Sequence, residues 1–536
     1  MTSQALENAV RSRGFTPSVR DAPALVAMLA SDDEGVVRDV ERAIGRLGAS
    51  ALRTLLASFD ATKAPLRARV TRAIGRLAPE SGDALAFLVR AVTDDDAKTR
   101  RNALGALGKV PGSEDILVEA WAREPRVDHK RTIAASLGKV GGARALELLS
   151  GERSLDPELS RILGQAVLML QRTTLRSGDD ARAGGIDASR AATVETPVLL
   201  HCRVGLEQML EGEAGVALGA RVVGLGCVRV LLRGKLEDLF ALRTMHHLAF
   251  PLLQQRLASG EDVGHAVVRA ITSPEARRIF DTWTTGPIRY RIAWSSGGHL
   301  RAVVWRCAQE IARARPDLVN DPTESTWEIV ATRRGRFVDT ELVPRALEDP
   351  RFAYRVADVP AASHPPLAAA LVRIAGTLAS DVVWDPFCGS GVELVERARG
   401  GPYARMFGSD IDEAALAAAQ KNLDAAGVRD VTLGRFDGTT HVPSAPPDGA
   451  GVSLILTNPP MGRRVARQAD LGQLMDRFID HVAVVLAPGG RLAWVSPMPE
   501  RTRARAERGA MRVEHALRVD MGGFTAEIQL VRRCGA

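Results

Sequence analysis

The chain has 536 residues, 46% hydrophobic, 25% charged and only 4% aromatic, with a formal net charge of +7 and a pI near 9.4. Its length exceeds one ordinary core, so about three domains are expected. The positive balance favours a polyanionic partner, while the scarcity of aromatic residues excludes extended base-stacking platforms. No apolar run approaches the roughly 20 residues that span a bilayer, and Met1-Thr2-Ser3-Gln4-Ala5-Leu6-Glu7 has no signal-peptide character, so no membrane association is expected. The cysteines at 202, 227, 307, 388 and 534 form no CxxC pair and have no ligand spacing. They read as buried thiols of a cytoplasmic protein with no metal site.

Between residues 20 and 175 a short pattern recurs about every thirty residues. Its copies are Ala43-Ile44-Gly45-Arg46-Leu47, Ala73-Ile74-Gly75-Arg76-Leu77, Ala103-Leu104-Gly105-Ala106-Leu107 and Ala135-Ser136-Leu137-Gly138-Lys139-Val140. Apolar residues fall at helical spacing, and small residues let paired helices approach closely. This resembles an α-solenoid of HEAT-like repeats over residues 1–175, with an extended surface suited to docking a protein partner. Residues 176–197, centred on Ser177-Gly178-Asp179-Asp180-Ala181-Arg182-Ala183-Gly184-Gly185, lose apolar periodicity and read as a linker.

From Val198 the pattern turns α+β. Val198–Cys202 reads as a strand and Gly205-Leu206-Glu207-Gln208-Met209-Leu210 as a helix start. Ala220–Gly224 and Gly226–Leu232 read as strands, and Leu236–His247 as a second helix. Residues 289–341 follow with a strand (Tyr290–Trp294), a helix (301–314) and a hairpin (Thr326–Ala331, Gly335–Thr340). This order over 198–350 resembles the ferredoxin-like and THUMP modules of RNA methyltransferases. The resemblance implies a grip on structured RNA, with Arg289, Arg291, Arg301, Arg306, Arg313, Arg315, Arg333, Arg334 and Arg336 available to phosphates.

Residues 351–536 carry the chemistry. Ser363-His364-Pro365-Pro366 reads as a helix start with Ser363 as N-cap. Val382-Val383 enters as a buried strand; Asp385-Pro386-Phe387-Cys388-Gly389-Ser390-Gly391 turns tightly into the helix beginning Val392-Glu393-Leu394. Glycines there let a ligand approach the backbone. A second strand ends at Asp410-Ile411-Asp412, where a carboxylate can accept both hydroxyls of a ribose. A third, Val431-Thr432-Leu433, exits through Arg435-Phe436-Asp437-Gly438, and a fourth, Val452–Thr457, runs into Asn458-Pro459-Pro460-Met461.

This succession resembles a class I Rossmann-like S-adenosylmethionine-dependent methyltransferase of the amino-methylating type. With the middle third, it resembles the THUMP RNA enzymes that methylate guanine N2. The resemblance implies S-adenosylmethionine as cofactor, with Pro365, Asp385, Phe387, Gly389 and Gly391 on its methionine side. Asp410, with Ile411 beside it, would hold the ribose, and Asp437 the adenine amino group. Asn458 and the Pro459 carbonyl would accept N–H bonds from the target amine, with Pro460 and Met461 completing the loop. Met461 departs from the aromatic residue usual at its position. A sulfur–aromatic contact is worth roughly 0.3–1.5 kcal/mol, so base stacking is weakened. The expected substrate is tRNA, with rRNA guanine N2, adenine N6 or a binding scaffold without turnover as alternatives. Arg463, Arg464, Arg467, Arg501, Arg503, Arg505 and Arg508 are expected to hold RNA around the pocket mouth.

Overall fold

The computed structural model describes residues 3–12, 14–59, 64–177, 184–295, 300–360, 362–444, 451–461 and 468–534. Their contacts form two compact units. One comprises Met1–Gly184, Leu257–Thr272 and Gly286–Ser325; the other comprises Gly185–Arg256, Ser273–Thr285 and Thr326–Ala536.

In the first unit, helices succeed one another from Ser3–Val10 to Pro157–Ser177, packing mainly on the next and the next but one. One apolar core runs through the stack, from Leu6 to Leu170. The recurring glycines lie where neighbouring repeats touch. A Cβ on Gly108 would stand 2.7 Å from Ser136 Cβ, and one on Gly138 would stand 2.9 Å from Ala166 Cα. The thirty-residue period is therefore a packing period, because a close-packed interior has no room for the added atom. Buried Glu41 ties two helices together by accepting from Arg72 at 2.5 Å and Arg76 at 3.0 Å. The last helix grips the remaining segment: Arg176 bonds Asp321 at 2.8 and 3.1 Å.

In that segment strand Ile288–Trp294 runs parallel to Leu318–Asn320, with helix Arg301–Ala314 between them in sequence. Two expected phosphate contacts are corrected here. Arg289 is 1% exposed and donates to Glu324 at 2.6 Å; Arg315 is buried and pairs with Asp317 at 2.6 Å. A desolvated guanidinium needs fixed acceptors, and these two have found theirs inside the fold. Arg306 is likewise paired, with Asp262 at 2.6 Å, whereas Arg301, Arg313, Arg333 and Arg336 are exposed.

The second unit opens with an antiparallel sheet in the order 221–224, 227–232, 196–201, 247–251, 337–344, 327–334. Within 176–197, residues 178–183 lie outside the described residues. Gly185–Ile186 pair with Thr284–Thr285, and Trp283 Nε1 donates to Arg190 O at 3.1 Å. The helix expected over Leu236–His247 is instead a 3-10 turn, Leu236–Ala241, followed by strand His247–Pro251. The buried side chains decide this. Glu213 accepts from the N–H groups of Arg243 and Thr244 at 2.9 and 3.0 Å, and Arg351 binds the carbonyls of Leu242 and Met245. Backbone groups that a helix would pair internally are thus taken by tertiary partners. Helix Pro274–Trp283 belongs to this unit, and helix Val263–Ile271 to the first.

Among the described residues the C-terminal domain has seven strands: β1 (Val382–Asp385), β2 (Arg405–Asp410), β3 (Val431–Arg435), β4 (Val452–Thr457), β5 (Leu486–Ser496), β6 (Met511–Asp520) and β7 (Thr525–Arg533). Its helices are α1 (Pro365–Ala375), α2 (Val392–Arg399), α3 (Glu413–Ala425), α4 (Gln468–Val485) and α5 (Pro499–Arg508). The sheet order is β3-β2-β1-β4-β5-β7-β6, parallel through β5, with β7 antiparallel to both its neighbours. Buried parallel strands are apolar on both faces. Val383 packs with Leu371, Leu394 and Leu423 on one side, while Trp384 packs with Phe478 and Ile479 on the other. Asp381, buried before β1, accepts from Arg397 at 2.9 Å and from Arg491 at 2.9 and 3.0 Å. The segment that carries this antiparallel sheet and the C-terminal domain are joined closely: Arg243 bonds Glu396 at 2.6 and 2.7 Å, and Asp520 N donates to Val204 O at 3.0 Å. At Gly205, with φ at +104°, a Cβ would strike the Arg518 carbonyl.

Candidate active site at the ends of the first and fourth strands

The strand order reverses at β1, whose neighbours are β2 on one side and β4 on the other. Ligands of open parallel sheets bind in the crevice that such a reversal leaves at the carboxyl ends of the strands. Asp385 ends β1 fully buried, its Oδ1 accepting from Phe387 N at 3.1 Å and from Thr457 Oγ1 at 2.7 Å. Thr457 is the last residue of β4, so this bond fixes the end of β1 against the start of the Asn-Pro-Pro loop. Gly389 (φ +49°) and Gly391 (φ +77°) make the turn. A Cβ on Gly391 would lie 3.1 Å from Ala419 Cβ of α3, so glycine is required both by conformation and by space.

Gly389 N donates to Asp410 Oδ2 at 3.0 Å, and Asp412 N donates to Asp410 Oδ1 at 2.9 Å. The β1 turn and the carboxylate at the end of β2 are thereby one structure. Ile411 beside it is 69% exposed. Asp437 stands at the exit of β3. Its Oδ1 accepts from Thr439 N at 2.8 Å and Thr439 Oγ1 at 2.7 Å, and these bonds hold its pKa below the usual carboxylate range. Phe387 packs edge-on against Phe478, and Pro365 is buried at the first turn of α1.

Asn458 follows β4. Its Nδ2 donates to Ser363 Oγ at 2.8 Å, whereas its Oδ1 is buried without a hydrogen-bond partner. Pro459 is buried, Pro460 is exposed, and Met461 is half-buried against the apolar core beneath the sheet. Ser363 was expected to cap α1, but the N-cap is His364 and makes no side-chain cap bond. The serine is engaged by Asn458 instead. The lead-in segment is pinned by Asn422, whose Nδ2 donates to Ala357 O at 2.8 Å and Ser390 O at 2.9 Å while its Oδ1 accepts from Ala357 N at 2.9 Å.

Four buried oxygens of this site lack partners among the described residues: Asp385 Oδ2, Ser390 Oγ, Glu393 Oε1 and Asn458 Oδ1. Burial and the neighbouring Glu393 push the Asp385 pKa well up, and burial raises that of Glu393 to about 7. An unpaired buried acceptor is costly, and a buried carboxylate more so. The site therefore fits a ligand rich in N–H donors and carrying positive charge. Sequence reasoning passed over Glu393, Thr457 and Asn422, and it gave Ser363 a capping role only. For Glu393 the motif gave no signal, since a charged residue in a first helical turn ordinarily faces solvent.

Arg463, Arg464 and Arg467 lie outside the described residues. The expectation that the α5 arginines face RNA is corrected for three of them. Arg501 bonds Asp476 at 2.7 and 2.9 Å, Arg503 bonds Glu527 at 2.7 Å, and Arg505 is paired with Asp480. Carboxylates of α4 and β7 lie within reach of their guanidinium groups and compete with phosphate.

Residues 353–527 match the family model described as "RMKL-like, methyltransferase domain". The chain is 33% identical over 170 residues to a tRNA (guanine(6)-N2)-methyltransferase of Thermus thermophilus, covering 32% of this chain and 49% of that protein. It is 30% identical over 213 residues to a tRNA (guanine(10)-N2)-dimethyltransferase of Methanothermobacter thermautotrophicus, covering 38% of this chain and 58% of that protein. The chain thus spans about half the length of these curated relatives. Among solved structures, TrmN from Thermus thermophilus superposes with a TM-score of 0.52 at 26% identity, over 63% of this chain and 99% of TrmN. The C-terminal domain has the class I methyltransferase fold. Among the described residues no group of His, Cys, Asp and Glu is placed to hold a metal, and no helix is long and apolar enough to cross a membrane.

Proposed function

We propose that this protein is an S-adenosylmethionine-dependent RNA methyltransferase that methylates guanine N2, with tRNA as its substrate. The observation that carries the reading is the buried, unpartnered Asn458 Oδ1 at the end of β4. The names of the two curated relatives, both tRNA guanine-N2 enzymes, support it. The unpaired oxygens of Asp385 and Glu393 suit a cationic cofactor that carries an ammonium group. S-adenosylmethionine, when bound, supplies an electrophilic methyl group on a sulfonium.

The chain's own residues do the rest. Pro365, Asp385, Phe387, Gly389 and Gly391 line the methionine side; Asp410 and Ile411 take the ribose and its surroundings; Asp437 takes the adenine amino group. The N2 lone pair of guanine is delocalised into the ring, so the amine is a poor nucleophile. Asn458 Oδ1 and the Pro459 carbonyl each accept one of its N–H bonds, which localises the lone pair and aims it. Proline has no N–H and holds its carbonyl rigidly. Positioning and electrostatics of this kind contribute several kcal/mol. Asn458 has no basic atom to take the proton, which passes to solvent.

In this reading residues 1–175 are a HEAT-like repeat stack that docks a partner, 176–197 a linker, 198–350 a ferredoxin-like and THUMP-like RNA grip, and 351–536 the catalytic domain of a cytoplasmic enzyme. One observation favours a second reading. The Met461 side chain is packed on the core rather than offering an aromatic face to a base, which suits a slow enzyme or an RNA-binding scaffold. Asn458→Ala separates the two. On the first reading it lowers single-turnover methyl transfer about 10²–10³-fold, the cost of losing one preorganised hydrogen-bonding group, and leaves S-adenosylhomocysteine affinity within threefold. Unchanged transfer in that variant ends the catalytic assignment.

A further inference from the structure

The repeat stack carries its positive charge on one of its two helix layers. The second helices of the repeats, Glu34–Leu47, Ala64–Ile74, Ala97–Leu107, Val127–Val140 and Pro157–Ser177, pack each on the next. In the first four of these repeats a basic residue follows the recurrent glycine: Arg46 after Gly45, Arg76 after Gly75, Lys109 after Gly108 and Lys139 after Gly138, all exposed. Gly75, Gly108 and Gly138 are pressed on the following repeat, where a Cβ would stand within 2.9 Å of Ala106, Ser136 or Ala166. That contact fixes one register for every repeat, so the cations beside the glycines form a row along the stack.

Positions four and eight residues earlier share the same helix face. They hold Arg42, Arg72, Gly105 and Ala135, then Arg38, Ala68, Arg101 and Arg131, with no carboxylate among them. Some of this charge is spent inside the stack. Arg42 pairs with Asp39, Arg131 pairs with Asp156, and Glu41 serves both Arg72 and Arg76. Arg38, Arg101, Lys109 and Lys139 are exposed and make no ion pair among the described residues. The first helices are different. Ala22–Met28 is uncharged, and Glu114–Arg123 sets Glu114, Asp115 and Glu119 against Arg123.

A helix dipole favours cations in the last turn only, so it does not account for Arg38 and Arg101 near the starts of their helices. Packed helices stand about 8–10 Å apart, close to the Debye length at physiological salt, so the potentials of neighbouring cations add. The exposed large apolar side chains described in the stack are Val19, Val89, Val127 and Leu155, none of them at these positions. A protein interface draws its affinity from buried apolar and aromatic anchors, and this face offers none. Evenly spaced cations without such anchors suit a phosphate backbone.

We propose that this face of the repeat stack binds the sugar–phosphate backbone of the substrate RNA. The inference rests on the RNA methyltransferase reading and extends it to the N-terminal unit.

The test uses the full chain and two triple variants. Arg101→Gln/Lys109→Gln/Lys139→Gln neutralises the row. Arg53→Gln/Arg90→Gln/Arg123→Gln removes the same charge from exposed positions on the first helices. Glutamine keeps helix propensity close to that of the residues it replaces, and unchanged circular dichroism and unfolding temperature confirm that both variants fold. Affinity for unmodified tRNA and for rRNA fragments is measured by fluorescence anisotropy between about 50 and 200 mM salt, the range over which phosphate contacts are lost. The row variant should bind the preferred RNA about tenfold or more weakly at the low-salt end, and its log–log salt slope should be shallower by about 2–3, roughly one per phosphate contact removed. The control should stay within threefold of wild type with the same slope. S-adenosylhomocysteine affinity should be equal in all three proteins.

Equal losses in the two variants, or wild-type affinity and slope in the row variant, overturn the proposal; in the second case an acidic protein becomes the ligand of this face. Methyl transfer to tRNA by a row variant of undiminished affinity sinks the inference and leaves the functional reading standing. Loss of affinity and slope confined to the row variant, in a protein that methylates no RNA, upholds the inference while the functional reading fails. Wild type that binds neither RNA overturns both.

Discussion

Replacing Glu393 by glutamine should stabilise the ligand-free protein above neutrality. The carboxylate is buried with one oxygen unpaired, and burial raises its pKa from 4.5 to about 7. Below pH 4.5 it is protonated in both the folded and unfolded states and costs nothing. As the pH rises from 4.5 to 7 the unfolded chain loses its proton while the folded one keeps it, so stability declines. Above pH 7 both states are ionised and the folded state carries the full cost of burying the charge. A shift of that size corresponds to about 3 kcal/mol, of which less than about 1 kcal/mol is present at pH 5.

Glutamine has nearly the same shape and no charge, so it should recover most of that difference at pH 8. For a domain of this size the gain is roughly 6–12 °C in Tm. The assay is thermal unfolding followed by tryptophan fluorescence at pH 8 and pH 5, in the absence of cofactor. The transition belonging to the C-terminal domain is the one that saturating S-adenosylhomocysteine moves upward. No gain at pH 8, or an equal gain at both pH values, would refute the reasoning, because only a charge effect vanishes on protonation. Stability given up for function is the usual pattern at an active site.

Three further outcomes follow from the structure. Gly391→Ala puts a Cβ 3.1 Å from Ala419 at a φ of +77°, and the strain, about 1–3 kcal/mol, should weaken S-adenosylhomocysteine binding in a calorimetric titration by tenfold or more. Asp381→Ala strands the buried Arg397 and Arg491 guanidinium groups and should cost about 3–5 kcal/mol, read as a lower unfolding temperature of the domain with cofactor bound. His246 and His364, with ring centroids 4.4 Å apart, are held neutral by burial with pKa values of about 3 and about 4. Their contribution to stability is complete above about pH 6.5 and is lost as the pH falls toward 4, because the unfolded chain binds those protons first. Unfolding temperature should therefore fall less steeply between pH 6.5 and 4.5 in His364→Gln than in wild type.

The C-terminal domain was the most legible part of the chain because its signals are local. Continuous apolar runs mark β1 and β4, paired glycines mark the turn after β1, and Asn458-Pro459-Pro460 stops β4. The thirty-residue period of the N-terminal third was equally readable, since Gly108 and Gly138 are small for a packing reason that recurs in each repeat. What escaped depends on distant partners. The Leu236–His247 stretch has helical character, and Glu213 and Arg351 override it. Arg289 and Arg315 look like an exposed basic face until Glu324 and Asp317 are placed beside them. Ser363 has the sequence of an N-cap, and only the fold brings it to Asn458, 95 residues away.

The central claim is the identity of the methylated atom. Purified protein, labelled S-adenosylmethionine and separate pools of unmodified tRNA and rRNA, digested to nucleosides and resolved by mass spectrometry, measure it directly. The account predicts N2-methylguanosine in the tRNA pool. N6-methyladenosine, or no labelled nucleoside in either pool from protein that binds the cofactor, would contradict it.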